Sequence, residues 1–176
     1  MAKEKRIGDL LGPEQFRQIT MEVLRPNPHQ PRKTFDEKGL RRLASSIEEG
    51  GQIQPIMVVE RVQGSRSIMY IAVGERRVRA HKLLKRIRIG AIVRRFGGND
   101  SEFDRVMRWY GLVENVDREN LDPIEQAHAY AELMETEGLT QGQVAELCHV
   151  DPMQVSVYMG LIVLEESLQR AIAARL

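Results

Sequence analysis

Ile68-Met69-Tyr70-Ile71-Ala72-Val73-Gly74-Glu75-Arg76-Arg77-Val78-Arg79-Ala80-His81-Lys82-Leu83-Leu84 is the stretch that decides how this chain folds. Ile68, Tyr70 and Ala72 alternate with Met69, Ile71 and Val73 in a β-rich run too apolar for a solvated loop, and Gly74 ends it abruptly. Ala80, Leu83 and Leu84 then follow at helical spacing. A buried strand therefore delivers Arg76, Arg77 and Arg79 to the start of a helix, where the first backbone N–H groups lack partners and the macrodipole is positive. Arginine adds planar, bidentate hydrogen bonding, so the turn suits an anion such as phosphate. The alternative is a solvated charged face, the ordinary fate of charges in a helix's first two turns.

Working outward, charge separates along the chain. The net charge of +1 conceals ten Lys and Arg between Arg66 and Arg95 against Glu75 alone, while from Tyr110 onward only Arg118, Arg170 and Arg175 are basic. A basic segment of this kind suggests a polyanionic ligand, a nucleotide or nucleic acid. With 42% hydrophobic and 29% charged residues, the composition is that of a soluble globular protein. No apolar run approaches the roughly 18 residues of a membrane span, and residues 1–12 carry no signal-peptide core. The single Cys148 excludes an internal disulfide, fits a reducing cytoplasm, and sits in an apolar helical pattern as a small core residue.

Before the central stretch, residues 1–18 read as a flexible arm with no fold of its own. Gln18–Leu24 alternates like a strand. Pro26, Pro28 and Pro31 then stiffen a loop displaying Asn27, His29, Gln30 and Arg32, a binding loop or a plain connector. His29 has no companion at metal-ligand spacing and suits a surface or hydrogen-bonding role. Thr34-Phe35-Asp36-Glu37 has capping-box form ahead of an amphipathic helix through Leu40, Leu43, Ala44 and Ile47, ended by Gly50-Gly51. Ile53–Glu60 begins a strand with Pro55 near its start or on an edge.

After the stretch, Ala91–Val93 forms another short strand, and from Ser101 only helices are expected. Asp122 with Pro123, Thr140, and Asp151 with Pro152 mark three helix starts. Val144, Ala145, Cys148, Val150, Val155 and Tyr158 fall where a helix-turn-helix at 140–164 keeps its apolar and small positions, with an ordinary helical hairpin as the alternative. In the first reading Thr140, Gln141, Gln154 and Ser156 are the polar candidates for DNA contact, while Met153 and Met159 read as core.

Several motifs stand in a meaningful order: Asn27-Pro28-His29-Gln30-Pro31-Arg32, Gly51-Gln52-Ile53-Gln54-Pro55-Ile56, Gly74-Glu75-Arg76-Arg77-Val78-Arg79-Ala80, Leu112-Val113-Glu114-Asn115, Leu121-Asp122-Pro123-Ile124-Glu125-Gln126-Ala127, and Gly138-Leu139-Thr140-Gln141 with Val144-Ala145. In that order, across roughly residues 20–165, the chain resembles the ParB family of chromosome and plasmid partition proteins and its related nucleoid-occlusion factors. The resemblance implies an α+β fold, a small mixed-sheet ParB/sulfiredoxin-like domain followed by an all-helical helix-turn-helix domain. The expected divisions are an arm at 1–18, a nucleotide-binding domain at 19–100, a connecting helix at 101–121 and a helical domain at 122–176.

It also implies CTP as ligand with slow hydrolysis to CDP. Gly74, Arg76, Arg77 and Arg79 would cradle the triphosphate, while Gln30, Arg32 and Gly51, Gln52 and Gln54 line the pocket. Glu114, Asn115 and Glu75 would lie beside Mg²⁺, and Glu75, Glu114 and Gln30 are the candidates for acting on the attacking water. CTP would draw two copies into a homodimeric clamp on DNA, associated with the nucleoid in the cytoplasm, with no membrane part and with a ParA-type ATPase as a further partner. Lys82, Lys85, Arg86, Arg88, Arg94 and Arg95 would face the DNA backbone. The alternative is a nucleotide-independent helix-turn-helix adaptor. A sulfiredoxin-like enzyme would need a catalytic Cys where Glu75 stands.

Three features depart from the family pattern. Asp117 replaces the usual Gln, no Lys or Arg occurs from Asp151 to Leu164, and the chain reaches only Leu176, as expected of a truncated form or a short relative.

Overall fold

The computed structural model describes residues 5–29, 36–116, 122–148, 150–164 and 166–173; the side chains of 115, 116, 166, 167, 170 and 171 are outside that description. Thr34, Asp117 and His149 also lie outside it. The chain divides into two compact units, 1–111 and 112–176. Among the described residues no helix is long and apolar enough to cross a membrane.

The first unit is built on a mixed five-stranded sheet ordered β1 (Gln15–Thr20), β5 (Arg88–Phe96), β3 (Ile56–Gln63), β4 (Arg66–Val73) and β2 (Leu24–Arg25). β1 pairs antiparallel with β5 and β3 antiparallel with β4, whereas β3–β5 and β2–β4 are parallel. The near-continuous apolar run of β4 has a simple cause: both faces of the sheet are covered. Met69 and Ile71 pack with Ile56, Val58, Ile89 and Val78 of α2 (Glu75–Leu83) on one side. Ala72, Tyr70 and Val73 meet Phe103, Val106, Met107 and Tyr110 of α3 (Asp100–Val116) on the other. Full burial of each such side chain contributes about 1.5–3 kcal/mol. α1 (Glu37–Gly50) forms an outer layer, placing Ala44 and Ile47 against Ala80 of α2.

Several expectations need correction. Residues 7–18 are not a loose arm: Ile7–Leu10 is a short 3-10 helix, and Ile7, Leu10 and Leu11 are buried with Phe96 and Phe103. The first strand begins at Gln15 and ends at Thr20, after which Met21–Val23 forms a 3-10 turn. Asn27 is buried rather than displayed; its Nδ2 donates to the Met107 carbonyl at 2.9 Å and its Oδ1 accepts from the His29 N–H at 2.8 Å. His29 takes the hydrogen-bonding role expected of it, with Nε2 3.3 Å from Asp104 Oδ1. α1 is capped by Asp36, whose carboxylate accepts from the Lys38 and Gly39 N–H groups.

The second unit contains the end of α3, then α4 (Pro123–Glu137), α5 (Gln141–Leu147), α6 (Pro152–Ile162) and α7 (Glu166–Ala173). The starts read from Asp122, Thr140 and Asp151 hold: all three side chains accept hydrogen bonds from first-turn N–H groups. Tyr130, Leu133, Val144, Ala145, Cys148 and Val155 are buried. The Val150 N–H donates to the Ala145 carbonyl at 3.0 Å, pinning the turn between α5 and α6. Burial pushes the Tyr130 hydroxyl up to about 12. Met153, expected in the core, is exposed.

Candidate anion-binding site

Gly74 makes the junction of β4 and α2 possible. It is the N-cap of α2 in the left-handed region, with φ 104° and ψ 26°, and a Cβ there would stand 2.8 Å from Ile56 Cγ2. Only glycine enters this conformation at little cost. Its carbonyl accepts from the N–H groups of Arg77 (2.9 Å) and Val78 (3.2 Å), closing the first turn. Glycine has no side chain of its own with which to cap the helix. α1, α4, α5 and α6 each have an Asp or Thr at the N-cap whose side chain accepts from the first turn, whereas the N-cap residue of α2 offers none.

The three arginines divide their work. Arg77 is half-buried and fixed to the loop before β3: Nη1 donates to the Pro55 carbonyl at 2.8 Å and Nη2 to Gln54 Oε1 at 2.7 Å. These two bonds fix the direction of the guanidinium. Arg79 instead donates from Nε to Glu75 Oε1 at 2.9 Å, an i,i+4 ion pair. Arg76 is exposed, and its guanidinium lies beside Gly39 at the first turn of α1. A helix start with glycine at its N-cap, one fixed cation and two more cations alongside has the chemistry of a phosphate cradle.

Glu75 is buried, and among the described residues its Oε2 has no hydrogen-bond partner. An acceptor left in this state is costly, and a cation or a hydrogen-bond donor would satisfy it. Among the described residues no group of three or more His, Cys, Asp or Glu forms a protein cage for a metal. Mg²⁺ does not need one: it commonly takes one or two carboxylates and completes its shell with phosphate oxygens and water. The orphaned oxygen of Glu75 fits that demand.

Other expected site residues fall in different places. Gly51 ends α1 with φ 76°, its N–H donating to the Ile47 carbonyl at 3.1 Å. Gln52 works on the backbone: Nε2 donates to the Gly90 carbonyl at 2.7 Å and Oε1 accepts from the Gly90 N–H at 2.8 Å, as a strand neighbour would. Gln54 reaches the site through Arg77. Gln30 and Arg32 lie outside the described residues, as does the Asn115 side chain, while Glu114 is half-buried near the end of α3 in the second unit.

Of the basic strip, Lys82, Lys85, Arg88 and Arg95 are exposed. Arg86 and Arg94 are not outward-facing as expected. Arg86 donates to the Ile47 carbonyl at 3.0 Å, and Arg94 donates to Gly12 and Leu11 carbonyls at 2.9 and 3.1 Å, holding the N-terminal segment in place. In the second unit Thr140 is committed to its own cap, Gln141 and Gln154 are half-buried and Ser156 is exposed.

Two features were not singled out from sequence. A hollow of about 380 Å³ is lined by Phe16, Gln52, Ile53, Pro55 and Arg88, among others, and Pro55 borders both this hollow and the Arg77 anchor. His81 also lines it, 2% exposed, and among the described residues neither ring nitrogen has a partner in a hydrogen bond of normal geometry. Burial lowers the His81 pKa and nearby Arg86 adds to this, while the Arg88 backbone opposes it. A lone His on a charged helix gives no sequence signal of such burial; only packing of α2 against α1 and the sheet reveals it.

The profile of the ParB N-terminal domain matches residues 8–116, and that of the ParB HTH domain matches 119–176. A probable chromosome-partitioning protein ParB of Campylobacter jejuni is 40% identical over 156 residues, 89% of this chain and 52% of that protein. The chain spans about half the length of the curated relatives it matches. Among solved structures, the C-terminally truncated chromosome-partitioning protein ParB from Caulobacter crescentus complexed to the centromeric parS site is 32% identical, with a TM-score of 0.69 over 88% of this chain and 75% of that one. A structure of the same protein complexed with CTP-gamma-S is 32% identical, with a TM-score of 0.48 over 91% and 85%.

Proposed function

The chain belongs to the ParB family of partition proteins, and on that premise we propose that it is a CTP-dependent switch of the ParB type, acting on DNA in chromosome or plasmid partition or in nucleoid organisation. The observation that carries the nucleotide half is the α2 start: a left-handed glycine N-cap, Arg77 held in direction by Pro55 and Gln54, and Arg76 and Arg79 beside it. The triphosphate would lie on the first N–H groups of α2 with Arg77 as its fixed partner, and Arg79 would divide its charge between phosphate and Glu75. The nucleoside end would take the adjoining hollow across Pro55. Cytosine as the base follows from the family resemblance.

Glu75, with Glu114 and Asn115, would hold Mg²⁺, which when bound supplies charge neutralisation on the phosphate oxygens. Glu75 is also the candidate to orient the attacking water, with Gln30 and Glu114, in slow hydrolysis to CDP. Closure of a homodimeric clamp then requires that nucleotide bind the closed arrangement more tightly than the open one. DNA phosphates fall to the exposed cations Lys82, Lys85, Arg88 and Arg95. Thr140, Gln141, Gln154 and Ser156 could contribute only neutral hydrogen bonds.

Calorimetric titration with CTP, ATP, GTP and UTP in the presence of Mg²⁺ tests the reading. Binding of CTP in clear preference to the other three is expected; equal binding of all four, or none, would sink it.

A further inference from the structure

We propose that Gln52 is a positioning residue for the anion site: it clamps the loop before β3 to Gly90 of β5, so that acceptors on that loop hold Arg77 in direction at the start of α2. The inference rests on the nucleotide reading of that helix start. In this role Gln52 does not touch the ligand and acts through Arg77.

The sheet supplies the reason for the clamp. β3 and β5 run parallel, and their pairing begins with Ile56 opposite Ala91. Gly90 stands one residue earlier, where β3 has not yet started, so pairing of its backbone on that side falls to something other than the strand. Gly90 is buried, and a buried N–H and carbonyl left unpaired would be costly. The Gln52 carboxamide meets both: Oε1 accepts from the Gly90 N–H at 2.8 Å, and Nε2 donates to the Gly90 carbonyl at 2.7 Å. The ladder gains one more rung, made by a side chain. A Cβ at Gly90 would stand 3.1 Å from Gln52 Oε1, tighter than ordinary contact, so glycine leaves the carboxamide its room.

Packing does little to fix this loop. Ile53, the one large apolar residue between Gly51 and Pro55, is 87% exposed, and Gln54 is exposed beside it. Gln52 Nε2 lies 3.1 Å from the Gln54 carbonyl as well, so one carboxamide ties the loop both to the sheet and to itself. The next two acceptors along the chain are those of Arg77, Gln54 Oε1 and the Pro55 carbonyl. Hydrogen bonds therefore run in series from Gly90 through Gln52 and residues 54–55 to the guanidinium. A cation already held in direction loses less freedom when an anion binds. Releasing the loop at Gln52 spreads the directions open to Arg77 while leaving its charge in place.

Calorimetry with CTP and Mg²⁺ on the full chain tests this as a double-mutant cycle. Gln52→Leu should bind CTP about tenfold more weakly than the wild type, less than the loss from removing the cation itself. In an Arg77→Ala background the same change should alter affinity by less than about twofold. Full affinity in Gln52→Leu, or an equal loss in both backgrounds, would overturn the proposal; the latter is what a contact with nucleotide or a general weakening of the fold would give. A second readout needs no nucleotide. The Arg77 Nη protons, assigned by their absence from the Arg77→Ala spectrum, should give resolved nitrogen–proton NMR signals in the wild type and collapse into the rotational average in Gln52→Leu. Equal spectra for the two chains would overturn the proposal. A wild type that bound no CTP would remove the nucleotide reading, and the NMR comparison would still decide whether Gln52 fixes Arg77. Urea unfolding checks that Gln52→Leu is folded; if it is not, Gln52→Ala, which leaves room for water at Gly90, takes its place in both experiments.

Discussion

α2 and α6 start in opposite ways. Gly74 opens α2 with no side chain of its own to offer the first turn and three arginines following, whereas Asp151 opens α6 by placing its own carboxylate on the Met153 N–H, with no Lys or Arg along the helix. Both helices have the same partial positive charge at that end. In α6 an anion belonging to the chain has taken the place, and in α2 the N-cap residue supplies none. Composition of the body follows suit: α2 is built to hold charge, and α6 presents Met153, Val157 and Gly160 to its surroundings. The candidate anion site and the exposed apolar residues of α6 are thus on helices of the same kind, which differ in what the N-cap residue supplies.

The contrast can be broken most forcefully at Arg77. Arg77→Ala removes a cation and both anchors to the 54–55 loop, and loss of charge-assisted hydrogen bonds worth about 3 kcal/mol in total corresponds to about a hundredfold weaker CTP binding by calorimetry. Unchanged affinity would place the triphosphate elsewhere. Gly74→Ala attacks the backbone beneath it. Positive φ and a 2.8 Å approach to Ile56 Cγ2 should together cost about 2–4 kcal/mol in urea unfolding, because the opposing atom is a branched side chain buried in the core.

Asp151→Ala sharpens the same contrast from the α6 side. Removal of the cap should cost about 1 kcal/mol, a fall of about 2–4 °C in melting temperature, without creating an anion site, since no arginine follows. If phosphate stabilised this variant more than the wild type, an uncapped helix start would suffice on its own and the arginines of α2 would lose their meaning. For the basic strip, Lys82→Ala with Lys85→Ala should flatten the salt dependence of DNA binding by about one unit of slope for each phosphate that is no longer neutralised.

The β4–α2 turn was readable because everything that makes it is local: six apolar residues, one glycine, then arginines at the first helical positions. The caps at Asp122, Thr140 and Asp151 were readable for the same reason. What failed was long-range. Ile7, Leu10 and Leu11 make too short an apolar pattern to announce burial, and their partners Phe96 and Phe103 lie far along the chain. Arg86 and Arg94 looked like the other cations of the strip, but their acceptors are carbonyls of Ile47, Leu11 and Gly12, which no spacing rule can foresee. Gln52 likewise reads as a pocket residue in a motif and acts as a backbone mimic against Gly90.

The smallest effect is expected at the far end of α2, where the helix that begins in charge ends on a buried imidazole. His81 lines the hollow beside Arg88 and Arg86 with no hydrogen bond of normal geometry to either ring nitrogen among the described residues, and burial, the largest cause, holds its pKa below the usual 6.5. The unfolded chain therefore takes up a proton at a higher pH than the folded one. Stability from the neutral ring is fully present above about pH 6.5 and is lost as pH falls from there towards the lowered folded value. Urea midpoints from pH 7.5 to 5.5 should accordingly decline more steeply for the wild type than for His81→Gln, whose side chain does not titrate. Parallel slopes would mean that the Arg88 backbone offsets the desolvation of the ring, and that both ends of α2 tolerate positive charge.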